Sequence, residues 1–361
     1  MAVPLFDPST PLQPLRDELH AAVARVLDGG AFVLGPEVAA FEEEFARAVG
    51  ARHAIGVANG TEAITVALRG LGVGPGDDVV VPSFTFYASA EAIVNAGARP
   101  VFCDVDPRTY VATADHVRAA LTPATKAVVL VHLFGNVAPV REVEALGLPV
   151  LEDAAQAAGT TGPDGAPGAI GTVGTFSFYP SKNLGAFGDG GAITTSDDEL
   201  AETIRVLRFH GSRDKVGYER VGFNSRLDEV QAAVLRVQLP HLPAWAAHRA
   251  QAGRWYAEAG LDAHAALPDP TPGATPAWHL FVVRAPDSDR MAQRLAEAGI
   301  GCRPYYRVPV HRQPPMREFA GGVELPGTEE AARAHLAIPI SAAITREQVG
   351  EVVAAFAPHA G

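Results

Sequence analysis

The residues from Val79 to Cys103, VVVPSFTFYASAEAIVNAGARPVFC, decide the fold class. Val79–Val81 forms a short apolar run without alternation, Ala88–Ala96 reads as a helix, and Pro100–Cys103 returns to a strand. A strand apolar on both sides is buried on both faces, as happens in parallel sheets covered by helices. The same unit repeats outward in both directions. Ala54–Val57 precedes a helix through Ile64, Leu68 and Leu71, and KAVVLV (126–131) and PVLE (149–152) continue the series. The expectation is an α/β fold with a mainly parallel central sheet flanked by helices, whose ligands gather at the carboxyl ends of the strands. Two amphipathic helices precede this unit: Leu15, Leu19, Val23, Val26 and Leu27 up to Gly29-Gly30, then Val38, Phe41, Phe45 and Val49 up to Gly50.

The pattern changes after about residue 240. Gln238–Pro243 holds two prolines, Pro268–Pro276 is proline-rich, WHLFVVR (278–284) reads as a strand, and Met291–Gly299 and Arg346–Phe356 read as helices. Residues 1–240 are therefore expected to form a large α/β domain and 241–361 a smaller α+β domain.

Composition excludes several classes. Apolar residues are 48% and charged residues 19%, which is a globular and not a disordered balance. A net charge of −12 without Lys/Arg runs argues against a nucleic-acid surface. Two cysteines, Cys103 and Cys302, cannot build a disulfide framework. The first residues show no basic stretch before an apolar core, and no run of ~18 apolar residues occurs, so a soluble cytoplasmic protein without membrane contact is expected. There is no GxxxxGK[ST], no complete GxGxxG, no GxSxG and no HExxH, and the histidines and cysteines lack paired-ligand spacing, so no metal site is expected.

Three stretches can meet at the strand ends. NGTEAI (59–64) is a turn entering a helix, whose amide N–H groups and dipole suit an anion, with the Thr61 hydroxyl beside them. The alternative is an ordinary N-cap at Thr61. LEDAAQ (151–156) leaves Asp153 at the end of an apolar strand, and helix capping is its alternative role. FSFYPSKNLGAFGDGGAITT (176–195) places Ser177 and Lys182 after a strand at Val173–Phe178, among Gly185, Gly188, Gly190 and Gly191. Glycine admits close approach of backbone or ligand, which a solvated surface lysine does not need. A phosphate cradle, a carboxylate and a desolvated lysine together suit pyridoxal 5'-phosphate: the lysine forms the Schiff base, and the carboxylate keeps the pyridine nitrogen protonated.

With these stretches in view, the chain resembles the DegT/DnrJ/EryC1/StrS sugar aminotransferases over nearly its whole length. FVLGPEVAAFEEEFARAVG, GVANGTEAI, VPSFTFYASAEAI, PVFCDVDPRTY, VHLFG, EDAAQAAG, LRFHG, GFNSRLDEVQAAVL and PYYRVPVHRQP occur in that family's order. The resemblance implies a fold-type-I pyridoxal-phosphate-dependent transferase. Lys182 would carry the cofactor and shuttle protons, Asp153 would bind the pyridine nitrogen, Gln156 would lie near the phenolic oxygen and Phe86 on the ring face. Gly60, Thr61, the Glu62 backbone and Ser177 would hold the phosphate, and Asn224 would reach the neighbouring subunit's cofactor, which implies a homodimer with shared sites. Asp189 and Ser225 depart from the family's usual Glu and aromatic.

The expected reaction moves an amino group from L-glutamate to the C3 or C4 keto group of a nucleotide-linked deoxysugar, with a lean toward C3. Tyr179, Arg226, Tyr306, His311 and Arg312 are candidate substrate contacts, with Arg303 and Tyr305 beside them. A surface or inter-domain ion pair is the alternative for each arginine. His132 and His210 either line the site or are structural. Rival readings are a keto-cyclitol acceptor, a non-catalytic regulator on the same fold, and a sugar dehydratase. The dehydratases of this family carry histidine where Lys182 stands here.

Overall fold

A computed structural model describes residues 3–357. Seven strands build the central sheet: β1 (His53–Val57), β2 (Asp78–Pro82), β3 (Arg99–Cys103), β4 (Thr125–Val131), β5 (Val150–Asp153), β6 (Val173–Ser177) and β7 (Gly191–Thr195). They lie in the order β1-β7-β6-β5-β4-β2-β3. Neighbours from β6 to β3 pair in parallel, whereas β7 runs antiparallel to both β6 and β1. The parallel strands are buried on both faces, as their unbroken apolar runs require.

Strand alternation sorts the side chains of FSF (176–178). Phe176 and Phe178 point together into an aromatic cluster with Phe41 and Phe45 of the helix Pro36–Val49, at ring separations of 4.9 to 5.4 Å. Ser177 therefore faces the opposite side, where the helix Gly60–Gly70 lies. The same alternation in β5 turns Glu152 and Asp153 to different surroundings. Glu152 is fully buried and saturated: it accepts from His132 Nε2 and from the amides of Gly168, Ile170 and Gly171. His132, one of the sequence candidates, is thus a core residue, its other nitrogen accepting the Ala138 amide.

Beyond residue 240, β8 (Phe281–Arg284) and β9 (His335–Ile338) form a two-stranded antiparallel sheet. The helices Leu242–Glu258, Ser288–Glu297 and Arg346–Phe356 pack on it around Tyr256, Leu295, Leu336 and Phe356. Val3 joins this cluster and pairs with Ile300, so the amino-terminal end of the described chain packs against the carboxyl-terminal elements. The prolines 240 and 243 do not open a linker, because each occupies the first turn of a helical segment, where its missing N–H costs nothing. The strand expected at 278–284 begins only at Phe281. Trp278 adopts φ +34°, which ends any extended run there and turns Trp278–Leu280 inward.

Candidate active site

The carboxyl ends of β5 and β6 and the start of the helix Gly60–Gly70 meet on one face of the sheet. Gly60 packs against Ser177 so closely that a Cβ on Gly60 would sit 2.7 Å from the Ser177 Cβ. Asn59, not Thr61, caps this helix: its side chain accepts the Glu62 amide at 2.9 Å. That leaves the Gly60 and Thr61 N–H groups without a protein partner among the described residues, next to the Ser177 hydroxyl. Uncapped amides at a helix start beside a hydroxyl fit a phosphate.

Asp153 is 6% exposed and held on both oxygens. Ser89 Oγ donates to one at 2.7 Å, and the Ala155 amide to the other at 3.2 Å. No helix follows β5, so the carboxylate closes a turn and does not cap a helix. Ser89 is itself within 3.1 Å of Thr85 Oγ1. Both belong to the FTFYASA stretch, Thr85 just before the helix Ala88–Asn95 and Ser89 in its first turn.

Lys182 stands in a tight loop after β6. Its amide donates to Tyr179 O, Ala186 N donates to Phe178 O, and Phe178 N donates to Gly190 O, at 2.7 to 2.8 Å. The nearby glycines serve this loop: a Cβ on Gly185 would meet Pro180 O at 2.6 Å, and one on Gly191 would meet the Asn59 carbonyl carbon at 2.6 Å. Their role is backbone against backbone, and Gly191 ties the lysine loop to the turn at Asn59 that starts the helix Gly60–Gly70. The lysine stem is partly open, but burial at its amine end lowers the amine from 10.5 to about 8, with Asp153 opposing that shift. The other two lysines of the chain, Lys126 and Lys215, are exposed.

Gln156 accepts the Phe134 amide at 2.7 Å and donates to Tyr306 Oη at 3.3 Å. Tyr306 stacks on Phe134 with ring centroids 5.9 Å apart, its amide donates to His335 Nε2, and burial raises its phenol. Phe86 and Tyr179 are 58% and 56% exposed, large rings left uncovered within this single chain. Asn224 lines a depression with Asn59, Asp189 and Arg226. His311 is instead tied to Ser83 at 2.6 Å, and Arg312 pairs with Glu329 at 2.7 Å. Arg303 is exposed and lies over the Tyr305 ring at 5.1 Å. His210, at φ +63°, sits in a turn whose amide donates to Phe223 O.

A seven-stranded, mostly parallel sheet with one antiparallel strand, flanked by helices, is the fold of the pyridoxal-phosphate-dependent aminotransferases of fold type I. The chain belongs to the DegT/DnrJ/EryC1/StrS aminotransferase family, which it matches over residues 13–357. It is 45% identical to the dTDP-3-amino-3,4,6-trideoxy-alpha-D-glucose transaminase of Streptomyces venezuelae, over 97% of this chain and 94% of that protein. It is 41% identical to the UDP-N-acetyl-3-dehydro-alpha-D-glucosamine 3-aminotransferase of Acidithiobacillus ferrooxidans, over 97% and 96%. The crystal structure of S. venezuelae DesV in complex with a ketimine intermediate matches with a TM-score of 0.95 at 44% identity, covering 98% of this chain and 97% of that one. Among the described residues no helix is long and apolar enough to cross a membrane.

Proposed function

We propose that this chain is a cytoplasmic aminotransferase that uses pyridoxal 5'-phosphate to move an amino group from L-glutamate to the C3 keto group of a nucleotide-linked deoxysugar. The observation that carries the reading is the Lys182 amine, lowered to about 8 in a loop beside the Asp153 carboxylate. The similarity to two enzymes named for 3-amino sugars supports C3 over C4.

When bound, the cofactor supplies an aldehyde for the amine and a ring that delocalises the electron pair left on the substrate carbon. Gly60 and Thr61 amides and the Ser177 hydroxyl hold its phosphate, and Glu62 contributes less, because Asn59 already takes its amide. Asp153 holds the proton on the pyridine nitrogen, and Ser89 and the Ala155 amide fix the carboxylate for it. Gln156 and Phe86 bound the ring's edge and face. Lys182 Nζ removes the α-proton of the donor and, in the second half, delivers a proton to the sugar carbon. An amine near 8 is part neutral at physiological pH, so within each half it can act first as base and then as acid.

Arg226, Tyr179 and Tyr306 remain the proposed substrate contacts, with Arg303. His311 and Arg312, engaged by Ser83 and Glu329, shape the wall behind them. Residues 1–240 and 241–361 act as the two units that enclose the substrate. Incubation with L-glutamate and a panel of 3-keto and 4-keto sugar nucleotides, scored by product mass, tests the reading. Amination of a 3-keto sugar nucleotide is expected. Exclusive amination of 4-keto sugars or of keto-cyclitols would replace the acceptor assigned here.

A further inference from the structure

Three buried polar atoms without a partner cluster near Lys182: Asn183 Oδ1, His279 Nδ1 and Arg249 Nε. Their residues are 7%, 4% and 8% exposed. Buried polar groups are almost always satisfied, so such a cluster marks a place where a bound molecule belongs. His279 feels the charges of both Lys182 and Arg249, which locates all three in one neighbourhood, and with burial they hold the imidazole well below its usual range and therefore neutral. A cavity of about 270 Å³ is lined by Lys182, Asn183 and Arg249, with Asp7 and Trp245 on its walls.

Arg249 projects from the helix Leu242–Glu258. Its Nη1 donates to the Trp278 carbonyl at 3.1 Å and the Ile340 carbonyl at 3.4 Å. No carboxylate pairs with it, and burial alone pulls it down to about 10. The two carbonyls fix one end of the guanidinium and leave the Nε–Nη2 edge unused among the described residues. That edge is one of the two forks with which arginine grips a carboxylate through parallel N–H···O bonds. A buried cation without an anion is costly, and the cost persists until an anion arrives. Asp7 does not fill this role: its Oδ1 accepts from Ser9 and Thr10, and it forms no salt bridge with Arg249.

We propose that the Nε–Nη2 edge of Arg249 binds the carboxylate of the amino donor, so that the cavity beside Lys182 is the amino-acid subsite. This rests on the aminotransferase reading above and assigns the donor side of it to a residue. The cavity, at about 270 Å³, has room for an amino acid. The carboxylate is common to the amino acid and to the 2-oxo acid it becomes, so one fork serves entry and exit. Asn183, another residue of the cavity wall, has its Nδ2 held by the carbonyls of Ala158 and Ala277 and its buried Oδ1 without a partner.

The test separates the two half-reactions in the cofactor-loaded enzyme by following cofactor absorbance. Arg249→Gln is expected to lower kcat/KM for L-glutamate by about a hundredfold, as removal of one partner from a buried charge pair does. The amination of the keto sugar by the aminated enzyme is expected to change less than about threefold. L-Glutamate α-amide, which keeps the γ-carboxylate but lacks the charge of the α-carboxylate assigned to Arg249, is expected to react equally with wild type and variant. Arg249→Lys, which keeps the cation and loses the fork, should fall between them and serves if the glutamine variant does not fold. Equal losses in both half-reactions, or an unchanged preference for glutamate over its amide, would overturn the assignment. Failure of the wild type to react with L-glutamate at all would instead refute the donor assigned under the proposed function.

Discussion

Lys182, the proposed attachment point of the cofactor, is held at a cost to the fold. Its folded-state amine lies near 8 against 10.5 for the free side chain, so desolvation outweighs the pull of Asp153. The linkage sign follows: below about pH 8 the lysine is charged in both states and the folded state bears the full penalty. Between 8 and 10.5 the folded state releases its proton first and the penalty fades. The cofactor-free Lys182→Met protein is therefore expected to melt a few degrees above the cofactor-free wild type at pH 7, with the gap closing toward pH 10. A variant that melts lower at pH 7 would show that the lysine stabilises its surroundings. Asp153 was legible as an acid at a strand end, but the hydroxyl that orients it was not. Ser89 reaches it only because the fold brings the first turn of the helix Ala88–Asn95 to the carboxyl end of β5, a tertiary fact absent from either local stretch.

Among the elements, the parallel strands were readable because burial on both faces leaves apolar runs with no alternation. The reversed strand β7 was not recognised, although its signal exists. The 13 residues from Phe178 to Gly190 contain no helical run, whereas a parallel crossover usually carries a helix. The turn from β6 into β7 is instead built by close backbone contacts at Gly185 and Gly191. The reading of WHLFVVR as one strand failed for a related reason. Trp278 and His279 have strand-like side chains, but Arg249 holds the Trp278 carbonyl and Asn183 holds that of Ala277, so the segment bends toward the lysine loop. Gly60 tests the contact between elements. Gly60→Ala sets a Cβ against Ser177 at 2.7 Å, so one must move, at about 1–3 kcal/mol. Affinity for pyridoxal phosphate is expected to fall at least tenfold, and affinity for pyridoxal, which lacks the phosphate, to change much less. An unchanged affinity for the phosphorylated form would remove this turn from the phosphate site.

At the scale of the whole molecule, the chain leaves large apolar side chains uncovered. Phe32, Val33, Phe187, Tyr218 and Val221 are 49% to 87% exposed. A second copy of the chain is the partner that the proposed shared site calls for, with Asn224 crossing to the other subunit. The geometry sharpens the question, because Asn224 and Asn59 line one depression within a single chain. Mixing Lys182→Ala and Asn224→Ala subunits answers it. If Asn224 crosses, each mixed dimer holds one intact site, and re-associated protein is expected to recover about a quarter of wild-type activity, since half the dimers are mixed and each has one working site of two. Activity no greater than that of the separate variants would assign Asn224 to its own subunit.

Covalent attachment of the vitamin at Lys182 is directly measurable, because the chain has only three lysines. Reduction of the cofactor-loaded protein with borohydride, followed by proteolysis and mass spectrometry, distributes the label among Lys126, Lys182 and Lys215. A stoichiometric pyridoxyl mass is expected on the peptide that contains Lys182 alone. Label on Lys126 or Lys215, or none at all, would contradict it.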